Sequence, residues 1–196
     1  MLLLTIVINT PLVWRIDADL GVSISSPIQN LQTIENLQHD YELQEYVDLL
    51  KHEIRENHAN YQLYVESLDQ DSEIVPLAPA PKITYLEIRG VYSALYRKWD
   101  YVDQNAFSTN QDHGGQFYAL TLEYGYAQPS SRRFQINGTT LKLETSEPVK
   151  DSGNTVIGWI NYWKNPMADF TSGNATYNET SINFPYNQES DRLFIR

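Results

Sequence analysis

The stretch that most constrains the fold of this chain runs from Ser26 to about Ala59, because it contains one proline and no glycine. Ser26 and Gln29 have the spacing of a capping box, in which two side chains satisfy free backbone N–H groups at the start of a helix. Pro27 occupies the first helical position, where its missing N–H removes no hydrogen bond. The pattern predicts a long helix over about residues 26–58.

The apolar side chains of this helix change sides near Asp40. Because a helix packed on a single core keeps one apolar stripe, two hypotheses follow. Either the chain breaks at residues 39–41 and forms two helices on one core, or a continuous rod buries its halves against different neighbours, including other subunits. The first face carries Leu31, Ile34, Leu37 and Tyr41, and the second carries Leu43, Tyr46, Val47, Leu50 and Ile54.

Charge and composition exclude several classes of function. The net charge is −11, from 14 Lys and Arg against 25 Asp and Glu, and no basic run occurs. Nucleic acid and anionic membranes are therefore not expected as partners, since both need clustered cations. There is no cysteine, which rules out disulfides and thiolate metal sites. The apolar run at residues 1–8 lacks a basic start and is too short to span a membrane, so it predicts a β-strand rather than a signal peptide.

Three prolines at residues 76, 79 and 81 mark the clearest boundary in the chain. Proline at this density favours an extended, semi-rigid connection. We therefore predict an N-terminal strand and helical assembly region over residues 1–75, a Pro-rich linker over 76–82 and an antiparallel β domain over 83–196.

The β domain is predicted from alternation and turn chemistry. Strands are expected at residues 83–89 and 91–99, with a bulge at Gly90, and at 117–126. Asn137-Gly138 between alternating segments predicts a type I′ hairpin that places Ile136 opposite Thr139. The fold class is thus α+β and mostly β: an N-terminal strand and long helix, a Pro-rich linker, and an antiparallel β sandwich or barrel-like domain.

Three further segments complete this part of the chain. The strand predicted at 156–163 is apolar on both faces, which is typical of a central strand or an interface. Residues 165–186 are polar and are predicted to be irregular. Residues 193–195 are predicted as a last edge strand.

Candidate chemistry is sparse. Asp112-His113-Gly114-Gly115 places a carboxylate and an imidazole beside two glycines, and a turn between strands explains the same residues. The carboxylates of Glu87, Asp100, Asp103 and Glu123 lie among aromatic residues, which is expected in an acidic, tyrosine-rich chain. No nucleotide-binding, nucleophile-elbow or zinc-protease motif occurs, and no histidine pair has ligand spacing. We predict no enzyme activity, no catalytic residue, no cofactor and no bound metal.

Aromatic residues on the predicted strands form the remaining candidate site. They are either core and interface residues or a platform on which sugar rings stack. This aromatic platform comprises Trp99, Tyr101, Tyr124, Tyr126, Trp159, Tyr162 and Trp163.

These features predict a non-enzymatic structural subunit of a large assembly, such as a head, neck, tail or fibre component of a phage or virus particle. Its partners would be other protein subunits, in a virion or in the cytoplasm at synthesis. The alternative is a carbohydrate- or receptor-binding β module that uses the aromatic platform, with a glycan as partner.

Overall fold

The computed structural model describes residues 31–68, 81–183 and 186–196, in which two helices and nine strands occur. Helix α1 spans Ile34–Leu37 and helix α2 spans Tyr41–Leu68. The strands are β1 (Tyr85–Ser93), β2 (Trp99–Tyr101), β3 (Phe117–Tyr124), β4 (Arg133–Ile136), β5 (Thr139–Thr140), β6 (Lys142–Lys150), β7 (Val156–Asn165), β8 (Gly173–Thr180) and β9 (Gln188–Ile195).

The strands form two antiparallel sheets. The five-stranded sheet has the order β2-β1-β3-β7-β6, and the four-stranded sheet has the order β5-β4-β8-β9. Helix α2 covers one face of the five-stranded sheet, and the four-stranded sheet covers its other face, so two apolar cores result. The described part of the chain is therefore mostly β, with a helical layer on a β sandwich. No helix in it is long and apolar enough to cross a membrane.

The change of apolar face predicted near Asp40 arises because the helix breaks between α1 and α2. The chain leaves α1 at Gln38, and Asp40 then caps α2 by accepting a hydrogen bond from the backbone N–H of Glu42 at 2.9 Å. The break rotates α2 relative to α1, so that both helices bury their apolar side chains in the same core. The hypothesis of two helices on one core is confirmed, and the single helix predicted over 26–58 is replaced by α1 and α2.

Eight of the nine predicted helix positions pack in this common core. Tyr41 is the exception, because it begins α2 and is 79% exposed. Because the break precedes it, Tyr41 does not share a buried face with Leu31, Ile34 and Leu37, and its role as a candidate interface residue stays a prediction. Leu31 and Tyr46 are half-buried, and the buried residues are Ile34, Leu37, Leu43, Val47, Leu50 and Ile54.

The five-stranded sheet is covered on both faces, which explains its apolar strands. All eight residues of β3 are buried. On β7, Gly158 lies beneath α2, and a Cβ there would clash with the backbone carbonyl of Glu123 and lie 3.2 Å from Ile54 Cγ2. Residues 156–163 are therefore apolar on both faces because they form a central strand. This is one of the two alternatives predicted from the sequence, the other being a strand at an interface.

Turn chemistry is confirmed at the hairpin between β4 and β5. Asn137 and Gly138 both have positive φ, at 48° and 84°, and Ile136 pairs with Thr139 as predicted. At the start of the β part, the register shifts between Ile88 and Gly90 within the single strand β1, so the bulge is present but the second predicted strand is not. Residues 94–98 form a turn instead.

Two predictions fall on residues outside those described, namely the N-terminal strand and the linker residues 76–80. Of the helical region predicted as a separate unit, residues 31–64 pack through their buried face on the five-stranded sheet. The boundary at 76–82 stays a prediction.

Candidate ligand-binding site

A cleft of about 570 Å³ lies on the outer face of the four-stranded sheet, on the side away from the five-stranded sheet. Its lining comes from the turn at residues 130–131 and from strands β4, β8 and β9. This volume is within the range of about 300 to 1,000 Å³ that small-molecule sites occupy.

Strand alternation builds the floor of the cleft. On β8, Tyr177 is buried inside the sandwich, so its neighbour Asn178 points outward. Asn178 pairs with Arg133 of β4 on one side and with Ser190 of β9 on the other. These three residues form one row across the sheet, and because neighbouring strands lie about 4.8 Å apart, the row spans roughly 10 Å.

A second row runs parallel to the first. Gln135 of β4, Thr176 of β8 and Arg192 of β9 face one another in register and point outward. Amide, hydroxyl and guanidinium groups therefore alternate over both rows, and all of them form hydrogen bonds with polar ligands.

The outer face carries no carboxylate on β4, β8 or β9, although the chain is strongly acidic. Three acidic residues of β8 and β9 occupy the inward positions, although two of them, Glu179 and Glu189, also belong to the cleft lining. Glu189 accepts a hydrogen bond from Asn187 Nδ2 at 3.1 Å, and Asp191 Oδ2 accepts one from the N–H of Ile88 at 2.7 Å. The third, Glu179, belongs to a cluster of charged groups between the sheets.

This charged cluster lies directly behind the cleft. Arg132 donates from Nε to Glu179 Oε1 at 2.9 Å and from a terminal nitrogen to Glu123. The Tyr177 hydroxyl lies 3.1 Å from Glu123 Oε2 and 2.5 Å from Glu179 Oε1, and Asn161 Nδ2 donates to Glu123 at 2.9 Å. Both carboxyl side chains are fully buried, and Glu179 Oε2 has no hydrogen-bond partner in the described part of the chain.

Burial raises the pKa of Glu179 to about 8, and the nearby charge of Glu123 acts in the same direction. Glu179 therefore holds a proton near neutral pH. Burial also raises the pKa of the Tyr177 hydroxyl, which remains a hydrogen-bond donor. Because Arg132 lies between two residues that line the cleft, the cluster fixes the edge of the cleft from behind.

A second buried network joins Ser93, His113 and Asp100. His113 Nδ1 lies 3.0 Å from Ser93 Oγ, and His113 Nε2 lies 3.2 Å from Asp100 Oδ2. The Asp100 carboxylate also accepts from Asn110 Nδ2 at 3.0 Å and from the N–H of Gln111 at 2.7 Å. Because the carboxylate accepts, Nε2 carries the proton and Nδ1 accepts from the serine hydroxyl.

This arrangement has the hydrogen-bond connectivity of a catalytic triad, but its three side chains are buried away from solvent. Ser93, His113 and Asp100 are 0%, 2% and 5% exposed, and Ser93 Oγ also accepts from the N–H of Tyr96 at 3.1 Å. Burial lowers the pKa of His113. Asp112, its neighbour in the predicted cluster, points to solvent with an 86% exposed side chain. The network ties β1, β2 and the loop before β3 together.

The structure does not bring the predicted aromatic platform onto one surface. Trp163 lies between the sheets, where its Nε1 donates to Thr121 Oγ1 at 2.9 Å. Tyr126 and Trp159 stay half-buried, with ring centroids 5.2 Å apart. The other members, Trp99, Tyr101, Tyr124 and Tyr162, lie on the side of the five-stranded sheet that faces α2.

The cleft was missed because residues 165–186 were predicted to be irregular, whereas β8 occupies 173–180. A signal was present in the alternation of Ala175 and Tyr177 with polar residues. That alternation was weak, because Asn and Thr dominate the segment and Asn is rare in strands. Within the described ranges, no group of three or more His, Asp or Glu is placed to hold a metal ion.

The fold and site define a helix-covered, two-sheet antiparallel β protein with a polar cleft on one outer sheet face. A family model described as "Domain of unknown function (DUF4879)" matches residues 78–195, and the chain belongs to that family. The matched region contains all nine strands and the whole cleft, while α1 and α2 precede it. No curated protein and no solved structure matches the chain.

Proposed function

We propose that the protein is a non-enzymatic binding module that takes a polyhydroxylated ligand, such as a glycan, in the cleft on the four-stranded sheet. The observation that carries the proposal is a cleft of about 570 Å³ whose outward lining consists of amide, hydroxyl and guanidinium side chains, including the row of Arg133, Asn178 and Ser190. Such groups donate and accept hydrogen bonds in the alternating manner that sugar hydroxyls require.

The two clusters that resemble catalytic sites support a non-enzymatic role. The Ser93–His113–Asp100 network is buried, and the side chains of the Glu123–Glu179 pair are also buried, although Glu179 borders the cleft. A catalytic group must come within hydrogen-bond reach of its substrate. In their buried positions, both clusters join neighbouring strands and thereby stabilise the fold.

Binding to a glycan array, followed by isothermal titration calorimetry, tests the proposal. Asn178→Ala removes the centre of the first row without touching the core, and we expect about 3- to 10-fold weaker binding, the value of one or two hydrogen bonds. Thr171→Ala, in an exposed loop, is the matched control. Failure of the wild type to bind any glycan, or equal affinities for the wild type and Asn178→Ala, would contradict the proposal.

A structural subunit of a protein assembly, such as a phage or virus particle, is the second candidate. Phe107 favours it: the ring is 92% exposed, yet the backbone is fixed by a 2.9 Å hydrogen bond from the N–H of Phe194. A large apolar side chain held rigidly in solvent is typical of contact surfaces. However, the change of apolar face in the helix and the two-faced strand β7, which first favoured this role, are both satisfied within the chain.

Light scattering at low and high concentration tests this second candidate. Growth in mass with concentration, abolished by Phe107→Ser, would support it. A mass of one chain for the wild type at every concentration, with Phe107→Ser behaving identically, would count against self-assembly through this residue.

A further inference from the structure

The outer face of the four-stranded sheet has a charge opposite to that of the whole molecule. The chain has a net charge of −11, yet the outward positions of β4, β8 and β9 include two arginines and no acidic residue. In an acidic protein, a random choice of surface residues would place carboxylates there. The segregation follows from strand alternation, which places Glu179, Glu189 and Asp191 at inward positions. Glu179 and Glu189 still belong to the cleft lining, but the Glu179 side chain is fully buried and Glu189 is half-buried.

Arg133 and Arg192 have no ion-pair partner among residues 31–68, 81–183 and 186–196. Two other arginines of the chain are paired: Arg89 with Glu53 and Glu87, and Arg132 with two buried glutamates. Arg133 lies in the cleft and is exposed. An unpaired guanidinium beside neutral hydrogen-bonding groups is suited to an anion, which it binds through two parallel N–H groups.

From this geometry we infer that the ligand is acidic, and that Arg133 binds a carboxylate or sulfate group while Asn178 and Ser190 bind the neighbouring hydroxyls. The inference rests on the proposed binding function and specifies the class of its ligand as an acidic glycan. Arg192 lies two strands away and one row along, which places its Cα roughly 12 Å from that of Arg133. That distance exceeds the size of one sugar ring, so the second arginine reaches a second charged group of an oligosaccharide.

One carboxylate at the cleft acts against an anion. Glu189 is half-buried and belongs to the cleft lining, and its side chain accepts a hydrogen bond from Asn187. Behind the cleft, burial raises the pKa of Glu179 to about 8, which reduces its negative charge near neutral pH, and Arg132 faces it. The anion is therefore expected above the outward rows, where Arg133 and Arg192 supply the positive charge.

Calorimetric titration with three oligosaccharides of equal length tests the inference. The probes are an oligogalacturonate, which carries carboxylates, a heparin-derived oligosaccharide, which carries sulfates, and a neutral cello-oligosaccharide. At low salt we expect at least one acidic probe to bind about 10-fold more tightly than the neutral one, and to weaken as salt is added. The preferred acidic probe then distinguishes a carboxylate ligand from a sulfate ligand.

Substitutions identify the residue responsible. Arg133→Gln should weaken the acidic probe about 10-fold and leave the neutral probe unchanged, and Arg133→Lys should restore only part of the loss because it keeps the charge without the planar fork. Lys98→Gln, in the turn between β1 and β2, removes the same charge from another exposed position and should change affinity less than 2-fold.

The outcomes separate the two proposals. Tighter binding of the neutral probe, with a loss in Asn178→Ala, would overturn the acidic-ligand inference and leave the binding function standing. Equal losses in Arg133→Gln and Lys98→Gln would show a non-specific effect of charge and would also overturn it. No binding of any probe to the wild type would remove the proposed function together with the inference.

Discussion

The protonated carboxyl of Glu179 makes a quantitative prediction for the stability of the fold. Its pKa of about 8 in the folded chain lies above the ordinary value of 4.5, because burial and the neighbouring Glu123 disfavour its charged form. A group with a raised folded pKa stabilises the fold fully below the ordinary pKa, and this contribution is lost as pH rises from about 4.5 to about 8.

Glu179→Gln should abolish this loss. Glutamine has nearly the same shape, stays neutral at every pH, and keeps an oxygen to accept from Arg132 and Tyr177. The pKa interval from 4.5 to about 8 corresponds to at most about 4 kcal/mol at pH 8, and relaxation of the cluster reduces this figure. We therefore expect the variant to match the wild type within about 1 kcal/mol at pH 5, and to exceed its free energy of unfolding by about 2 to 4 kcal/mol at pH 8.

Urea unfolding between pH 5 and pH 8.5, followed by tryptophan fluorescence, measures both curves. Glu45→Gln is the matched control, because Glu45 is an exposed residue on α2, and it should give a curve parallel to that of the wild type. A difference between Glu179→Gln and the wild type that does not grow with pH would refute the reasoning. A variant that loses stability at pH 8 would show that Glu179 is needed there as a charge.

Three further predictions concern the packing of the layers. Gly158→Ala should lower the free energy of unfolding by about 3 kcal/mol, because its methyl group meets a strand backbone beneath α2, whereas Gly153→Ala in an exposed turn should change little in the same urea titration. His113→Ala should cost about 2 to 4 kcal/mol by leaving the buried polar groups of Ser93 and Asp100 without their partner, with faster amide hydrogen exchange in β1 and β2 as its local sign. Arg89→Met should cost about 3 to 5 kcal/mol in thermal unfolding by leaving Glu53 without its cation, and adding Glu53→Gln should recover part of that loss.

The sequence predicted the features that depend on neighbouring residues, namely the hairpin at Asn137-Gly138 and the helix break near Asp40. Asn137-Gly138 indicated a hairpin because this turn needs positive φ at two consecutive residues, which Asn and Gly adopt more readily than other residues. The change of apolar face near Asp40 correctly indicated a break as one of two outcomes. The N-terminal end of α2 was less predictable, because Tyr41 is apolar enough to suggest burial and is exposed only because the break places it on the first turn.

The candidate site was beyond prediction because it depends on long-range register. Arg133, Asn178 and Ser190 become neighbours only when β4, β8 and β9 pair, and nothing in the local sequence near any of them specifies the other two. The aromatic residues failed as a guide for a related reason. Alternation showed that each has a preferred side, but it did not show that both sides of the five-stranded sheet would be covered.

The alternation of inward and outward side chains along β8 has a consequence for how the sequences of this family can vary. Tyr177 and Glu179 maintain the interior, while Asn178 between them serves the outer row, so substitutions at alternate positions of one strand affect different properties. Substitutions at the outward positions therefore leave the interior between the two sheets unchanged. In β3, by contrast, all eight positions are buried. An alignment of the family should therefore show more sequence variation at the outward positions of β8 than at any position of β3.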